Sequence, residues 1–367
     1  MRIRGEAGTL VPMHMMTVVG ARPQFIKLAP LSAEIRRRGH TETIVHTGQH
    51  YDEGMSARFF AELNIPEPTV NLHVGSGSHA HMTALALEGI EAEILARKPD
   101  AVVVFGDTNA TLSGGLAAVK LGVPSAHVEA GLRSFDRGMP EEINRVVVDH
   151  CCDLLFAPNE TAAANLAQEG LADRTEVVGD IMVDALVSAR DRAPAISAVL
   201  RQLGVPDEPF VLLTVHRAAN TDDAGRLAAI LKGIEQAGTT VFPVHPRTRE
   251  ALARHGLSLP PNVVAVEPLG YLETMALAAN ARAVVSDSGG LQKEAYLLET
   301  PCVTLRENTE WVETIELGWN ILVGWDTAAI AAAVAHPPKG ATHPAVYGDG
   351  QAARRMVDQI ERHFGQV

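Results

Sequence analysis

Short β-branched apolar runs alternate with amphipathic stretches along most of the chain, and this alternation constrains the fold more than any other feature. Ala101-Val-Val-Val-Phe105 is one such run, and a helical pattern follows it. Repeated, the pairing of strand and helix specifies a parallel sheet covered on both faces. In the first half, strands are expected at 15–19, 43–46, 101–105, 125–128, 153–157 and 176–178. Helices are expected between them at 25–38, 54–63, 81–97, 108–121, 141–152, 161–168 and 183–190. Residues 193–209 carry Pro194, Pro206 and Pro209 and few strand formers, so the pattern breaks there. It restarts with strands at 210–215, 241–244, 263–266, 283–286 and 302–305, and a helix at 352–364 closes the chain after a Pro-, Gly- and His-rich connector at 336–343.

A length of 367 residues fits two domains of ordinary size. We expect an extension at 1–14, a first Rossmann-like domain at 15–195, a second at 205–345, and a C-terminal helical segment at 346–367. Two such sheets facing each other would leave a cleft between their carboxyl edges.

Acids concentrate at the edge where open parallel sheets bind ligands. Phe105-Gly-Asp-Thr-Asn-Ala110 puts Asp107 just past one strand, and His127-Val-Glu-Ala-Gly-Leu-Arg133 puts Glu129 just past the next. Pro140 is placed as the first residue of a helix, with Glu141 and Glu142 in its first turn. Acids in a first turn suit the helix dipole on their own account. Two adjacent loops with carboxylates at one sheet edge favour a site over that bland reading.

Other loops suit an anionic ligand. Gly20-Ala-Arg-Pro-Gln-Phe-Ile-Lys27 brings Arg22 and Lys27 near a strand-to-helix turn. In Ser286-Asp-Ser-Gly-Gly-Leu-Gln-Lys-Glu294, the hydroxyl of Ser288 and the amides around Gly289 and Gly290 form a natural diphosphate cradle. Glu294, one turn into the helix, is placed to accept hydrogen bonds from ribose hydroxyls. His216 and His245 each follow a strand of the second half, beside Arg217 and Arg247.

Several function classes are disfavoured. A formal charge of -13 with no basic run beyond Arg36-Arg-Arg38 argues against a nucleic-acid partner. Three cysteines, Cys151, Cys152 and Cys302, make neither a disulfide framework nor a zinc pair, and His79-Ala-His81 lacks nearby acids, so no metal is expected. No apolar run approaches the ~20 residues of a membrane span, and no apolar signal core opens the chain. No membrane partner and a cytoplasmic location are therefore expected. Gly75-Ser-Gly77-Ser-His-Ala80 fits a dinucleotide spacing but does not sit in the first βα turn. None of the 4 tyrosines has a lysine four residues on, so neither a bound nicotinamide nor another cofactor is expected.

Taken together, Gly-Ala-Arg-Pro-Gln-Phe-Ile-Lys, Gly106-Asp-Thr-Asn, His127-Val-Glu-Ala-Gly-Leu-Arg133, Pro140-Glu-Glu-Ile-Asn-Arg145, Asp287-Ser-Gly-Gly-Leu-Gln and Tyr347-Gly-Asp-Gly-Gln351 resemble the non-hydrolysing UDP-N-acetylglucosamine 2-epimerases. The likeness runs from about Met15 to the C-terminus. It implies the two-domain GT-B fold, an active site in the interdomain cleft, a last helix crossing back to the first domain, and a homodimer. It also implies that UDP is eliminated to leave 2-acetamidoglucal and then re-adds, with a proton delivered to the opposite face of C2. Carried over by motif, Asp107, Glu129 and Glu141 are the acid–base residues. Arg22, Lys27, His216, His245, Ser288, Gly289, Gly290 and Glu294 fall on nucleotide-binding positions.

Some positions depart from the family pattern. Ala219 stands where an acid is common, and Trp311 stands where an arginine is often found near the diphosphate, a loss that Arg306 is expected to offset. Gln49 and His50 match part of the allosteric region of many bacterial members, whereas Tyr51-Asp52 and Ser78-His79 do not. Gln24 stands where enzymes acting on UDP-N-acetylglucosamine usually have Glu. Together with residues 78–83 and 309–313 it is similar to the branch acting on UDP-2,3-diacetamido-2,3-dideoxyglucuronate, and a neutral Gln24 would not repel that sugar's carboxylate. UDP-N-acetylglucosamine is the leading substrate and the diacetamido uronate the alternative. A GT-B glycosyltransferase and a non-catalytic nucleotide-sugar binder are the competing classes, and neither needs three acids at the sugar.

Overall fold

The computed structural model describes residues 11–48 and 60–365, apart from the side chain of Arg22. Gln49, His50, Tyr51 and Asp52 lie outside the described residues, as do residues 1–10 of the expected extension and most of the helix expected at 54–63. Among the described residues the first sheet holds β1 (His14–Val19), β2 (Thr41–His46), β3 (Val70–Asn71), β4 (Ala101–Phe105), β5 (Ser125–Val128), β6 (Leu154–Ala157) and β7 (Thr175–Val177). The order is β3-β2-β1-β4-β5-β6-β7, and every recorded pairing is parallel. The second sheet holds β8 (Val211–Thr214), β9 (Thr240–Pro243), β10 (Val263–Val266), β11 (Ala283–Ser286), β12 (Cys302–Thr304) and β13 (Asn320–Leu322). Its order is β10-β9-β8-β11-β12-β13, again parallel. These are two doubly wound, Rossmann-like sheets, the arrangement of GT-B proteins.

Topology places the site loops. Strand order reverses between β1 and β4 in one sheet and between β8 and β11 in the other. At such a switch point neighbouring helices leave on opposite faces and the loops above the strand ends part, so a ligand has room. Lys27 and Asp107 follow β1 and β4, Glu129 follows β5, and His216 and Ser288 follow β8 and β11.

The strand interiors are apolar on both faces, as parallel strands require. All five residues of β4 are buried. The helix Asn109–Lys120 crosses this layer closely, because Gly114 faces Val104 and Val18 while Gly115 faces Val148 and Cys152. Two edge strands, β3 and β13, were not expected from the sequence; at 2 and 3 residues they carry no apolar run. Within residues 193–209 the structure has a helix, Ile196–Leu203, ended by Gly204 in the left-handed region at φ +67°. His79, expected in a loop, opens the helix His79–Arg97.

The chain divides into two compact units. One comprises residues up to Ala185 together with those from Tyr347 onward, and the other runs from Leu186 to Val346. The C-terminal helix Ala352–Phe364 therefore belongs to the first unit. Its buried face carries Met356, Val357 and Ile360. Its N-terminal amides at Ala352 and Ala353 donate to the carboxylate of Asp184 at 3.1 and 2.9 Å. Near its other end, Glu361 accepts from Arg38 Nη1 and His40 Nε2, each at 2.8 Å. No helix among the described residues is long and apolar enough to cross a membrane.

Gly114→Ala tests the close crossing of helix and sheet. Alanine favours a helix interior by up to about 1 kcal/mol over glycine, but a Cβ there would lie 2.7 Å from Val104 Cγ1 and 3.3 Å from Val18 Cβ. Overpacking of this kind costs about 1–3 kcal/mol, so the variant should unfold at lower urea concentration. An unchanged or higher midpoint would show that the layers yield.

Candidate active site

In the first unit, the strand-to-helix loops are locked by residues of the helix Pro140–Cys151. Asn144 Nδ2 donates to the Asp107 carbonyl at 2.8 Å, and Arg145 Nη2 donates to Asp107 Oδ2 at 2.6 Å. Arg145 Nη1 also donates to Glu142 Oε2 at 3.0 Å. Glu142 accepts from the backbone amides of Ser134 and Phe135, each at 2.9 Å, and from the Ser134 hydroxyl at 3.0 Å. Burial pushes the Glu142 carboxyl up, but those amides, that hydroxyl and the Arg145 guanidinium outweigh it and hold the group below its usual range.

The two neighbouring glutamates thus do different work. Glu142 is buried and fastens the loop above the helix. Glu141 is exposed and, among the described residues, makes no hydrogen bond or ion pair. Of the two, Glu141 is the one free to meet a ligand.

Glu129 sits in the left-handed backbone region at φ +72°, a conformation a Cβ-bearing residue adopts at a cost of about 1–3 kcal/mol. Its carboxylate is ion-paired with Lys27 Nζ. Gly106, at φ +65°, lies beneath that pair: a Cβ on it would be 3.3 Å from Lys27 Nζ and 3.6 Å from Glu129 Oε2. Asp107 and Glu129 are therefore tied to one small region, each with its own cation.

In the second unit, Asp287 is wholly buried and joins the loops after β8 and β11. Its carboxylate accepts from the backbone amides of His216 and Arg217 at 3.1 and 2.9 Å and from Asn220 Nδ2 at 3.1 Å. Ser288 caps the helix Gly289–Leu297, its hydroxyl accepting from Leu291 N at 3.4 Å. The first-turn amides of Gly289 and Gly290 have no partner within a helix, and they supply the partial positive charge an anion needs. Neither glycine has positive φ, so the turn does not require glycine for its geometry. A Cβ on Gly290 would meet only open space, whereas one on Gly289 would approach Glu310, Arg217 and Arg306 at 3.6, 3.7 and 3.7 Å.

Arg306 reaches the neighbourhood of Gly289, with its guanidinium held by Glu310 at 2.9 and 3.0 Å and by Asn308 at 3.0 Å. Trp311 is buried and donates its indole N–H to the Gly289 carbonyl at 2.8 Å, while Lys293 Nζ lies 4.2 Å from its ring centre. His245 caps the helix Pro246–His255, and its ring centre is 5.6 Å from that of His216. Glu294 is buried, and burial of the Tyr271 phenol together with the charge of Glu294 pushes that phenol well above its ordinary value. Arg22 opens the helix Arg22–Arg37, but its side chain lies outside the described residues.

One expectation is overturned. Gln24 does not face a ligand: it is 1% exposed. Its Oε1 accepts from the amides of Gly20 and Ala21 at 2.7 and 3.0 Å. Its Nε2 donates to the Phe105 carbonyl at 2.6 Å and to the Thr108 and Thr111 hydroxyls, each at 3.0 Å. Gln24 fastens the loop after β1 to the end of β4, so charge repulsion at this position does not select the sugar. Sequence reasoning also passed over the fastening roles of Asn144, Arg145 and Asp287, whose partners lie far away in sequence. Arg217, noted only beside His216, has its guanidinium next to Gly289. Among the described residues no group of three or more His, Cys, Asp or Glu is arranged to hold a metal ion.

A family model described as UDP-N-acetylglucosamine 2-epimerase matches residues 33–361. A UDP-N-acetylglucosamine 2-epimerase homolog of Methanococcus maripaludis is 49% identical over 355 residues, covering 95% of this chain and 99% of its own. The UDP-2,3-diacetamido-2,3-dideoxy-D-glucuronate 2-epimerase of Pseudomonas aeruginosa is 44% identical over 361 residues, covering 95% and 100%. The crystal structure of Methanocaldococcus jannaschii UDP-GlcNAc 2-epimerase in complex with UDP-GlcNAc and UDP superposes with a TM-score of 0.87 at 42% identity, covering 95% of this chain and 100% of that one.

Substitutions at two positions test the geometry. Gln24→Glu sets a carboxylate against the Phe105 carbonyl, and an unsatisfied buried group of this kind costs about 1–3 kcal/mol. Its thermal midpoint should fall, and a wild-type midpoint would contradict the bonding described. Glu129→Gly and Glu129→Ala lose the same carboxylate but differ in backbone freedom. The glycine variant should be the more stable by about 1 kcal/mol in urea titration; equal stabilities would mean that the loop carries no strain.

Proposed function

The chain belongs to the UDP-N-acetylglucosamine 2-epimerase family, and from that premise we propose that it interconverts UDP-N-acetylglucosamine and UDP-N-acetylmannosamine without hydrolysis. UDP leaves C1 as the C2 proton is removed, giving 2-acetamidoglucal. UDP then returns to C1 while C2 receives a proton on its other face. Bonds and charge balance without a cofactor or metal, because the electrons of the broken C2–H bond form the glucal double bond and expel UDP.

The observation that carries this reading is the set of three carboxylates in the first unit with three distinct environments: Asp107 on Arg145, Glu129 on Lys27, and Glu141 exposed and unpaired among the described residues. Inverting a carbon by proton transfer requires groups for both faces, and each such group typically contributes about 10²–10⁴-fold. A glycosyltransferase or a simple binder would need the anion cradle but not this set. In the second unit, Ser288, Gly289 and Gly290 present amides and a hydroxyl to the diphosphate, with Arg217 and Arg306 alongside. His216, His245 and Glu294 complete the nucleotide contacts there, and Arg22 and Lys27 belong to the same proposed set of nucleotide-binding residues. A detached UDP must be retained, and that is the task of these groups. Homodimeric assembly and a cytoplasmic location belong to the same proposal.

The diacetamido uronate remains the second reading, because the Pseudomonas aeruginosa relative named for it is 44% identical. Incubation with UDP-N-acetylglucosamine in D₂O, with no acceptor present, should place deuterium at C2 of both epimers. Epimerisation without solvent label would defeat elimination as the route. A kcat/KM for the diacetamido uronate more than about 100-fold higher, equivalent to ~2.7 kcal/mol at the transition state, would transfer the assignment to that sugar.

A further inference from the structure

The geometry points to His127 and Asp149 as a positioning pair that sets the loops bearing Asp107 and Glu129, an inference that rests on the epimerase reading of those carboxylates. Both residues are wholly buried. His127, on β5, meets the Gly106 carbonyl through Nε2 at 2.7 Å and Asp149 Oδ1 through Nδ1 at 2.6 Å. A carbonyl and an ionised carboxylate can only accept, so in each of these contacts the ring nitrogen is the donor. The other oxygen of Asp149 accepts from the Gly131 amide at 3.1 Å and pairs with Arg133 Nη1 at 2.7 Å.

Asp149 thus holds both proton-transfer loops from below. It grips Gly131, two residues past Glu129, directly, and grips Gly106, the residue before Asp107, through His127. It lies on the helix that also carries Glu141, Asn144 and Arg145. All three carboxylates are referred to one rigid element, two of them through a buried carboxylate that touches no substrate. Arg133 is in turn held by Glu169, with Nε and Nη2 each at 2.8 Å, so the buried charges close as a network. A near-attack geometry demands this kind of control, since a displacement of about 1 Å can cost about 10²-fold in rate.

Side-chain length separates position from mere stability. In His127→Asn the amide reaches only where Nδ1 was, keeping Asp149 and releasing the Gly106 carbonyl. In His127→Gln the amide reaches where Nε2 was, keeping Gly106 and releasing Asp149. We expect kcat to fall about 10²-fold in His127→Asn, and to stay within about fivefold of wild type in His127→Gln, with KM and UDP affinity little changed in both. Hydrogen exchange of a peptide covering residues 105–112 should be faster in His127→Asn and not in His127→Gln. Asp149→Asn withdraws the charge that faces both the ring and Arg133, so kcat should fall and exchange of the same peptide should quicken. Equal losses in the two His127 variants, or wild-type kcat in His127→Asn, would overturn the pair's role. If neither His127 variant folds, Asp149→Asn decides: a loss of about 10²-fold with unchanged exchange in that peptide would exclude positioning. Failure of wild type to turn over either UDP-sugar would count against the proposed function alone, and hydrogen exchange would then settle whether the pair holds the loop.

Discussion

Arg145 is a guanidinium largely removed from water, and the first unit's site is arranged around meeting that demand. Burial lowers its tendency to hold a proton, and the charges of Asp107 and Glu142 with their hydrogen bonds reverse the balance and hold it above its ordinary value. Removing one partner from such a cluster leaves an uncompensated buried charge, which costs about 3–5 kcal/mol. The cation therefore couples two requirements that could otherwise vary separately. Asp107 must stay beside the helix Pro140–Cys151, and the loop closed by Glu142 must stay folded over it.

The second unit meets a comparable requirement with the signs reversed. Asp287 is a buried anion, and the groups that satisfy it are chiefly backbone amides of the loop carrying His216 and Arg217. In the second unit, then, a buried charge crosses the switch point and binds the loop after β8 to the loop after β11, whereas in the first Arg145 ties the loop after β4 to the helix that follows β5. The sheets supply the opening, and these charges fix the shape of its rim. Gln24 does similar work without a charge, spending its carbonyl on the loop after β1 and its amide on the end of β4.

How far the sequence could be read follows from how local each signal is. Strands such as β4 are legible because every position is buried, so the apolar run is unbroken. By contrast, β3 and β13 exist only because a neighbour offers them a ladder, and nothing within 2 or 3 residues announces that. Ile196, Val199, Leu200 and Leu203 do carry helical spacing, but the flanking prolines drew the reading towards a linker. Asp107 and Glu129 were legible as acids just past strand ends. That Glu142 faces inward while Glu141 faces out could not be read from two adjacent glutamates. Nor could the burial of Gln24, whose partner at Phe105 is 81 positions away.

The first unit is not continuous in sequence: its last helix arrives after residues 186–346 have been made into something else. At synthesis rates of about 5–20 residues per second, that interval lasts roughly 10–30 s. During it the second unit, contiguous along the chain, has everything it needs to fold on the ribosome. The first must wait with the faces that receive Met356, Val357 and Ile360 still open to water. The bonds from Arg38 and His40 to Glu361 can form only once that residue has been made. A nascent chain of this architecture therefore completes itself in the order second unit, then first, against the direction in which it is read.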